Sequence, residues 1–186
     1  GIDLPAVDLT ELEQRLRDES RTWADLTEEL LAGVLGGERA GQLGRRWLRH
    51  MPEAYQAETE PALAAGDVQE LERQIAAGKE LHIALAGGVH VADGRAVTRV
   101  ALYKRGQKVE LTDATPLLEA HGLRVIEELP TRIVAEGEET WIQAFAVVTP
   151  EGEPIDLDRC GVALADSIEA CWSGRTESDS LSRLIV

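Results

Sequence analysis

The stretch LYKRGQKVELTDATPLLEAHGLRVIEE, residues 102–128, predicts most of the fold by itself. It reads as the end of a strand, a basic turn, a helix capped by Thr112 or Asp113, a stop at Gly122, and a second strand. Gly122 suits a helix end because glycine adopts the left-handed conformation without steric cost. This order indicates a helix that packs across a sheet.

The C-terminal half extends this unit on both sides. Strands are predicted at 80–86, 88–92, 97–104, 123–134 and 139–148, and an amphipathic helix at 156–173. The order β-α-β-β-α is most of a ferredoxin-like unit, an antiparallel sheet with helices on one face. Its closing strand is either missing or replaced at the sheet edge by the early segment 80–86. Strand 139–148 is apolar on both faces except at Gln143, so a helical lobe or a missing neighbour should cover the second face.

Residues 1–78 have helical periodicity and are predicted to form a helical lobe. Thr10 and Glu13 make a capping-box pair at the start of the first helix. Asp67 is predicted to cap the last helix of the lobe, with Glu70 at the box position and Gly78 at the end. The apolar residues at helical spacing in the first helix are Leu9, Leu12 and Leu16.

The composition excludes several classes of partner. The formal net charge is -15, which argues against nucleic acid and against an anionic membrane surface. No segment is apolar enough over about 18 residues to span a bilayer, and the first residues lack a signal-peptide pattern. Cys160 and Cys171 lie about 16 Å apart along the predicted helix, too far to pair with each other. The missing signal-peptide pattern and the two cysteines that cannot pair with each other favour a cytoplasmic location.

No residue pattern predicts chemistry in this chain. His82 and His90 flank a predicted turn, and with Asp93 they would form a metal site, but exposed hairpin histidines are the commoner explanation. There is no phosphate-binding glycine loop after a strand and before a helix, and no serine in a G-x-S-x-G context. His121, before Gly122, is predicted to cap a helix C-terminus. We therefore predict no catalytic, cofactor-binding or metal-binding residue.

One basic turn, residues 104–108, stands out in an acidic chain. Arg105, Gly106 and Gln107, together with Asp113 at the helix start, form the candidate effector or interface turn. Backbone N–H groups at a helix start can receive an anion such as a carboxylate. The simpler interpretation, which we favour, is a charged turn that maintains solubility.

The same stretch resembles the third ACT-type segment of the large multi-domain bacterial NAD-dependent glutamate dehydrogenases. The family pattern LYR-x-G, LSD, LPLLE-x-x-GLRV appears here as LYKRG, LTD, PLLE and GLRV within residues 102–125. Residues 171–186, CWSGRTESDSLSRLIV, resemble the stretch that leads into the catalytic part of that family. Ser182 replaces the family's asparagine, and residues 79–98 match no family pattern.

The resemblance implies a fold and a function. The fold would be a helical lobe at residues 1–78, an ACT-like α+β domain at 79–174, and the start of a linker at 175–186. The parent enzyme would use NAD to oxidise L-glutamate, while this chain would hold neither catalytic residues nor cofactor. Its partners would be other segments of the same polypeptide, homo-oligomer contacts, and a small amino-acid effector. The apolar ending SLSRLIV indicates a longer chain.

Two other functions stay open at this point. The chain could be a stand-alone acidic module that senses an amino acid or binds a basic protein, or an enzyme whose site the sequence does not reveal. Within the resemblance we favour an architectural role over effector sensing, because the turn between Arg105 and Asp113 is longer and more charged than the short glycine turn usual in ACT modules.

Overall fold

The computed structural model describes residues 21–183, in which a helical half precedes a sheet-containing half. The predicted Thr10–Glu13 capping pair and the leucines around it lie outside the described residues. The helical half contains α1 (Trp23–Leu35), α2 (Gly37–Arg46), a 3₁₀ turn (Leu48–His50), α3 (Glu53–Glu58) and α4 (Pro61–Ala77). The second half contains β1 (Leu81–His90), β2 (Ala96–Arg105), α5 (Leu111–Ala120), β3 (Arg124–Ala135), β4 (Glu138–Val148) and α6 (Leu157–Arg183).

Helix α1 begins with a complete capping box. The Thr22 hydroxyl accepts from the Asp25 amide at 3.2 Å, and the Asp25 carboxylate accepts from the Thr22 amide at 2.9 Å. These bonds satisfy donors that a helix start otherwise leaves unpaired. Gly36 ends α1 with φ 84°, and α2 starts at the next residue.

The start of α4 differs from the prediction. Asp67 does not cap this helix; α4 begins six residues earlier, at Pro61, and Asp67 lies inside it. Proline is well suited to the first helical position because its missing N–H has no partner there in any case. The predicted end is confirmed, since Gly78 adopts the left-handed conformation after Ala77.

The four strands form one antiparallel sheet in the order β1-β2-β4-β3. Strand β1, which overlaps the early segment 80–86, therefore lies at the edge of the sheet. This confirms the alternative in which this segment replaces the closing strand. The strand is longer than predicted, because Gly87 and Gly88 form an irregularity between Ala86 and Val89 and do not end the strand. Strands β1 and β2 are joined by a turn at Asp93 and Gly94, with Gly94 at φ 82°.

Both faces of the sheet are covered by helices. Helices α5 and α6 pack on one face, where Val100 of β2 and Phe145 of β4 are fully buried. The helical lobe packs on the other face, where Tyr103 of β2 and Ile142 of β4 join its core. Because successive side chains of a strand point to opposite faces, β4 is apolar on both. The lobe is thus the cover that the sequence of β4 required.

Helix α5 starts at Leu111, slightly before the predicted caps Thr112 and Asp113. Its N-cap residue is Glu110, which makes no side-chain capping hydrogen bond. Pro116 lies in the second turn of this helix. At the other end the prediction for His121 is confirmed, because His121 Nδ1 donates to the Leu117 carbonyl at 2.8 Å.

Helix α6 continues to Arg183, beyond the predicted end at residue 173. Its middle packs on the sheet through the fully buried Ile168. Of the helices in the part of the chain that the structure describes, none is both long and apolar enough to cross a membrane.

Candidate functional site

The turn between β2 and α5 holds the four residues singled out from the sequence. The Arg105 guanidinium donates to the Glu138 carboxylate at 2.6 Å, and the Gly106 amide donates to the Glu139 carbonyl at 2.8 Å. Gly106 has φ 78°, which favours glycine at this position. Gln107 is exposed, and Asp113 lies in the first turn of α5. The turn is therefore anchored at its start to the neighbouring β3–β4 hairpin.

The cations of this turn are matched by carboxylates. Lys104 Nζ lies 2.9 Å from Glu80, and Lys108 Nζ lies 3.7 Å from Glu128. With the contact between Arg105 and Glu138, each basic side chain of residues 104–108 has an acidic partner. Such pairs reduce the positive charge that an incoming carboxylate would meet. The geometry is better suited to a structural connection than to an anion site.

The side chain of Gln143 in β4 also holds the segment between β2 and α5 in place. Its side chain is fully buried, and its Oε1 accepts from the Val109 amide at 2.6 Å while its Nε2 donates to the Val109 carbonyl at 2.8 Å. The side-chain amide thus pairs both backbone groups of one loop residue. The Nε2 group also donates to Glu128 at 3.1 Å. This explains the one polar residue in an apolar strand.

The strongest polar cluster lies elsewhere, between the lobe and the sheet. Asp67 of α4 is 1% exposed and accepts two hydrogen bonds from the guanidinium of Arg99 in β2, at 2.8 and 2.7 Å. The hydroxyls of Tyr55 and Tyr103 donate to the same carboxylate at 2.5 and 2.7 Å. One buried carboxylate therefore receives four donors from α3 and β2. We call these residues the Asp67 cluster.

The charges in the Asp67 cluster depend on one another. Burial alone would lower the pKa of Arg99, but the Asp67 carboxylate outweighs this effect and raises it. Burial, followed by the charge of Asp67, raises the pKa of Tyr55 and of Tyr103 well above the ordinary value. Both phenols consequently remain protonated donors at neutral pH. A buried charge is tolerated only with such pairing.

Sequence reasoning missed this cluster, although a signal was present. Asp67 stands three residues after Ala64 and four before Leu71, so it shares the apolar stripe of α4. Arg99 likewise shares one face of β2 with the buried residues Val97 and Ala101. A charge on a buried stripe needs an opposite charge, and these two elements offered the pair. Asp67 was interpreted as a cap because aspartate is common at helix starts.

A second polar contact closes the lobe over β2. Gln74 of α4 is 1% exposed, and its Nε2 donates to the Tyr103 carbonyl at 2.8 Å and to the Glu80 carbonyl at 2.9 Å. These bonds tie the end of α4 to the start of the sheet. Together with Asp67, seven residues earlier, they fix α4 at two points along its length.

His82 of β1 connects the lobe, the sheet edge and α6. Its Nε2 lies 2.9 Å from Glu70 of α4, and its Nδ1 lies 2.7 Å from Glu169 of α6. Glu169 also accepts from the Ile83 amide at 3.0 Å and from Lys79 Nζ at 2.6 Å. An imidazolium supplies both donors that this arrangement needs. We call these residues the His82 clamp.

The pKa values in the clamp shift in opposite directions. The hydrogen bond that His82 donates to Glu70 raises the pKa of His82; burial opposes this, and Glu169 adds to it. For Glu70 and Glu169, burial acts to raise the pKa. The hydrogen bonds from His82, and from Lys79 in the case of Glu169, outweigh burial and lower both values. The clamp is thus most stable with the imidazole protonated and both carboxylates ionised.

The histidines do not form the metal site weighed above. His82 is held by two glutamates, and His90 lies at the other end of the same continuous strand, not across a hairpin. Within the described part of the chain, no group of three or more His, Cys, Asp or Glu residues is arranged to hold a metal ion.

A groove of about 580 Å³ lies between α3, the start of α4 and the sheet. Arg99 is one of its lining residues, but its guanidinium is already paired with Asp67. Carboxylates of Glu58 and Glu127 and the ring of His90 also line the groove. Its apolar lining consists of Ala54, Leu63, Val89, Val91, Ala92, Leu129, Ala144 and Ala146.

The fold and these contacts define a class: an ACT-like α+β domain whose sheet carries a helical lobe on its second face. Residues 88–160 match the family described as "Glutamate dehydrogenase, ACT3 domain", and residues 30–73 match "Glutamate dehydrogenase, helical motif 2". The two matches together cover more than half of the chain. The chain belongs to the family of the large NAD-specific glutamate dehydrogenases.

Curated relatives agree with this assignment. The NAD-specific glutamate dehydrogenase of Pseudomonas aeruginosa is 27% identical over 181 residues, which is 97% of this chain and 11% of the relative. That of Halomonas elongata is 27% identical over 96% of this chain and 11% of its own length. That of Mycobacterium tuberculosis is 25% identical over 100% of this chain and 12% of its own length. The chain therefore spans about a ninth of the length of these relatives.

The Asp67 cluster predicts the effect of a single substitution. Asp67→Asn should lower the free energy of unfolding by about 3–5 kcal/mol, because it leaves the Arg99 charge buried without a counter-ion. Urea unfolding followed by circular dichroism measures this change. Asp93→Asn is the matched control, since Asp93 makes an exposed pair with Arg95 at 2.7 Å and should lose no more than about 1 kcal/mol. Equal effects of the two substitutions would contradict the account.

The His82 clamp predicts a pH dependence of stability. Because the folded pKa of His82 is raised above 6.5, its contribution is complete below about pH 6.5 and is lost as the pH rises through the folded value. The two glutamates have folded pKa values lowered below 4.5, so their contribution is lost as the pH falls through those values. Stability from the clamp is therefore greatest between about pH 4.5 and 6.5.

Melting temperatures measured from pH 5.5 to 8.5 test this dependence against two histidine substitutions. His82→Gln should flatten the loss above pH 6.5, whereas His50→Gln, at an exposed position, should leave the profile unchanged. A His82→Gln profile that runs parallel to that of the unmodified chain would show that the clamp does not titrate as described.

Proposed function

We propose that this chain is a non-catalytic, regulatory and architectural segment of a large NAD-dependent glutamate dehydrogenase. The parent enzyme would convert L-glutamate and NAD to 2-oxoglutarate, ammonium and NADH in amino-acid catabolism in the cytoplasm. NAD would be held elsewhere in the parent polypeptide and not by this chain. The family matches and the names of the relatives support this proposal.

The Asp67 cluster is the observation that carries the architectural role. Asp67 lies in the segment that matches helical motif 2, and Arg99 lies in the segment that matches the ACT3 domain. A buried, bidentate ion pair thus joins two family segments. Buried pairs favour one arrangement because any other arrangement leaves a charge unpaired. The role we propose is to hold these segments as one rigid unit within the parent.

Effector sensing is the less favoured role for the turn of Arg105, Gly106, Gln107 and Asp113. An amino-acid ligand needs a cation for its carboxylate, and Arg105 is already paired with Glu138. The cation that lines the groove, Arg99, also has an acidic partner already, since its guanidinium is bound by Asp67. We propose instead that the turn is a contact point for other segments of the same polypeptide or for a second subunit of a homo-oligomer.

The proposed division of the chain follows from the same role. Residues 1–78 form the helical lobe, residues 79–174 form the ACT-like domain, and residues 175–186 lead toward the catalytic part of the parent. The left-handed Gly78 between α4 and β1 supports the first boundary.

Two measurements on the purified 186-residue chain test the proposal. With L-glutamate and NAD, absorbance at 340 nm should show no NADH formation, while a full-length NAD-specific glutamate dehydrogenase serves as the positive control. Measurable turnover that copurifies with the chain would overturn the non-catalytic role.

The second measurement separates architecture from sensing. The melting temperature should stay constant within error when each of the common L-amino acids is added at millimolar concentration. A ligand at 100 times its Kd would stabilise the folded chain by about 2.7 kcal/mol, a shift that is easily resolved. A saturable rise with one amino acid, lost in Arg105→Gln and kept in Gln107→Ala, would favour sensing at the turn.

A further inference from the structure

The groove of about 580 Å³ between α3, the start of α4 and the sheet has room for a small molecule. Ligand pockets in proteins have volumes of about 300–1,000 Å³, are mostly apolar and often lie where two segments meet. This groove has all three properties, because α3 and α4 belong to the helical lobe and the opposite wall is the sheet. We call it the lobe–sheet groove.

Small side chains of β4 leave the space for the lobe–sheet groove. Ala146 is in register with Arg99 of β2 on one side and with Glu127 of β3 on the other. Neighbouring strands are about 4.8 Å apart, so the strand between Arg99 and Glu127 contributes only a methyl group at this point. Ala144, two residues earlier, lies on the same face and also lines the groove. Further along this face the larger Ile142 is fully buried against the lobe.

The charges around the lobe–sheet groove are not balanced. Among the described residues that line it, Arg99 is the one permanent cation, and Asp67 already neutralises it. Glu58 and Glu127 line the groove as well, and neither has a cationic partner in the described part of the chain. The ring of His90 is the remaining ionisable group. A carboxylate would therefore meet two like charges, whereas a cation would meet two opposite ones.

One buried polar group of the lining has no partner. Thr59 is 5% exposed, and its carbonyl oxygen accepts from Trp23 Nε1 at 2.7 Å. Its hydroxyl, by contrast, makes no hydrogen bond to any residue that the structure describes. Buried hydroxyls normally have a partner, because an unpaired one has lost its hydrogen bonds to water. Since Thr59 lines the lobe–sheet groove, a molecule bound there can supply the missing donor.

We propose that the lobe–sheet groove binds a small primary amine that has an apolar body and no carboxylate. The apolar body would lie over Ala144 and Ala146, and the ammonium would bind to the carboxylates of Glu58 and Glu127, with the Thr59 hydroxyl as a further acceptor. A primary ammonium has three N–H donors and no acceptor, which matches these three groups in number. Because the ligand contacts both the lobe and the sheet, it would stabilise their packing. This inference is independent of the proposed function.

Isothermal titration calorimetry of the purified 186-residue chain with three related compounds tests the class of ligand. Phenethylamine is the probe, phenethyl alcohol replaces its ammonium by a neutral hydroxyl, and hydrocinnamate replaces it by a carboxylate. Phenethylamine should bind saturably, and the alcohol should bind at least about tenfold more weakly, because hydrogen bonds between charged groups are the stronger class. Hydrocinnamate should not bind. Equal binding of the amine and the alcohol, or binding of hydrocinnamate alone, would overturn the proposal.

NMR of alanine methyl groups locates the bound amine. Phenethylamine should shift the methyl signals of Ala144 and Ala146 and give nuclear Overhauser effects between these methyl groups and its ring. Ala62 is the internal control, because it lines a different apolar groove, beside Leu26 and Leu30 of α1, that also has glutamates at its border. Its signal should not move. Shifts at Ala62 without shifts at Ala146 would show that the amine binds in the wrong groove.

Two substitutions with matched controls test the two halves of the site. Glu127→Gln should weaken the binding of phenethylamine by at least about tenfold, whereas Glu119→Gln, at an exposed position on α5 across the sheet, should not. Ala146→Leu should abolish binding by filling the groove, whereas Ala163→Leu, exposed on α6, should not. Circular dichroism shows whether each variant is folded. Unchanged binding by Glu127→Gln, which keeps the shape of the side chain, would contradict the proposal whatever the result for Ala146→Leu.

A lysine side chain of another polypeptide segment presents the same ammonium, and a last titration separates the two sources. Acetyl-lysine amide, with the acetyl group on the α-nitrogen, models such a side chain. It should bind more weakly than phenethylamine, because its two amide groups are costly to bury against the apolar lining. Tighter binding of acetyl-lysine amide would identify a lysine-bearing segment as the occupant and would overturn the assignment to a small amine.

Discussion

The buried carboxylate of Asp67 is the interaction on which the arrangement of this protein depends. A charge that is 1% exposed persists only if donors replace the water it has lost. Arg99 supplies two of these donors from β2, and Tyr55 and Tyr103 supply the others. The donors come from both the lobe and the sheet. If the two parts separated, the carboxylate would therefore lose the hydrogen bonds from β2, and Arg99 would lose its counter-ion. The lobe is therefore part of the domain and not an appendage.

The other polar contacts follow the same logic at different places. Gln143 replaces water for the backbone of Val109 and fixes the turn before α5. Glu169 pairs the Ile83 amide at the open edge of the sheet, while His82 links that edge to α4. Each contact satisfies backbone or charge at a junction between elements, where regular hydrogen bonding ends. The family match divides the chain into a helical motif and an ACT3 domain, but the contacts join them.

Local sequence signals predicted the elements better than their junctions. The order of strands and helices, the glycine stops at Gly78 and Gly122, and the covered second face of β4 all follow from periodicity and turn chemistry. The alternative in which segment 80–86 replaces the closing strand is confirmed, although Gly87 and Gly88, directly after this segment, produce an irregularity within β1 where a turn was expected. These features depend on residues close in sequence.

The Asp67 cluster and the His82 clamp were not predicted, because both depend on partners far apart in the chain. Asp67 and Arg99 are 32 residues apart, and His82 and Glu169 are 87 residues apart. Pattern reasoning assigned Asp67 to a cap because local rules favour that role for aspartate. Only its place on the apolar stripe of α4 argued otherwise, and that place does not identify Arg99 as the partner.

Native-state hydrogen exchange tests most directly whether the lobe and the sheet form one cooperative unit. We expect the amides of Leu71 in α4 and Leu102 in β2 to exchange with the same opening free energy and the same dependence on urea, equal to those of global unfolding. If the α4 amides instead exchange through a separate opening of much lower free energy and shallower urea dependence, the lobe unfolds alone, and the Asp67 cluster does not unite the two parts.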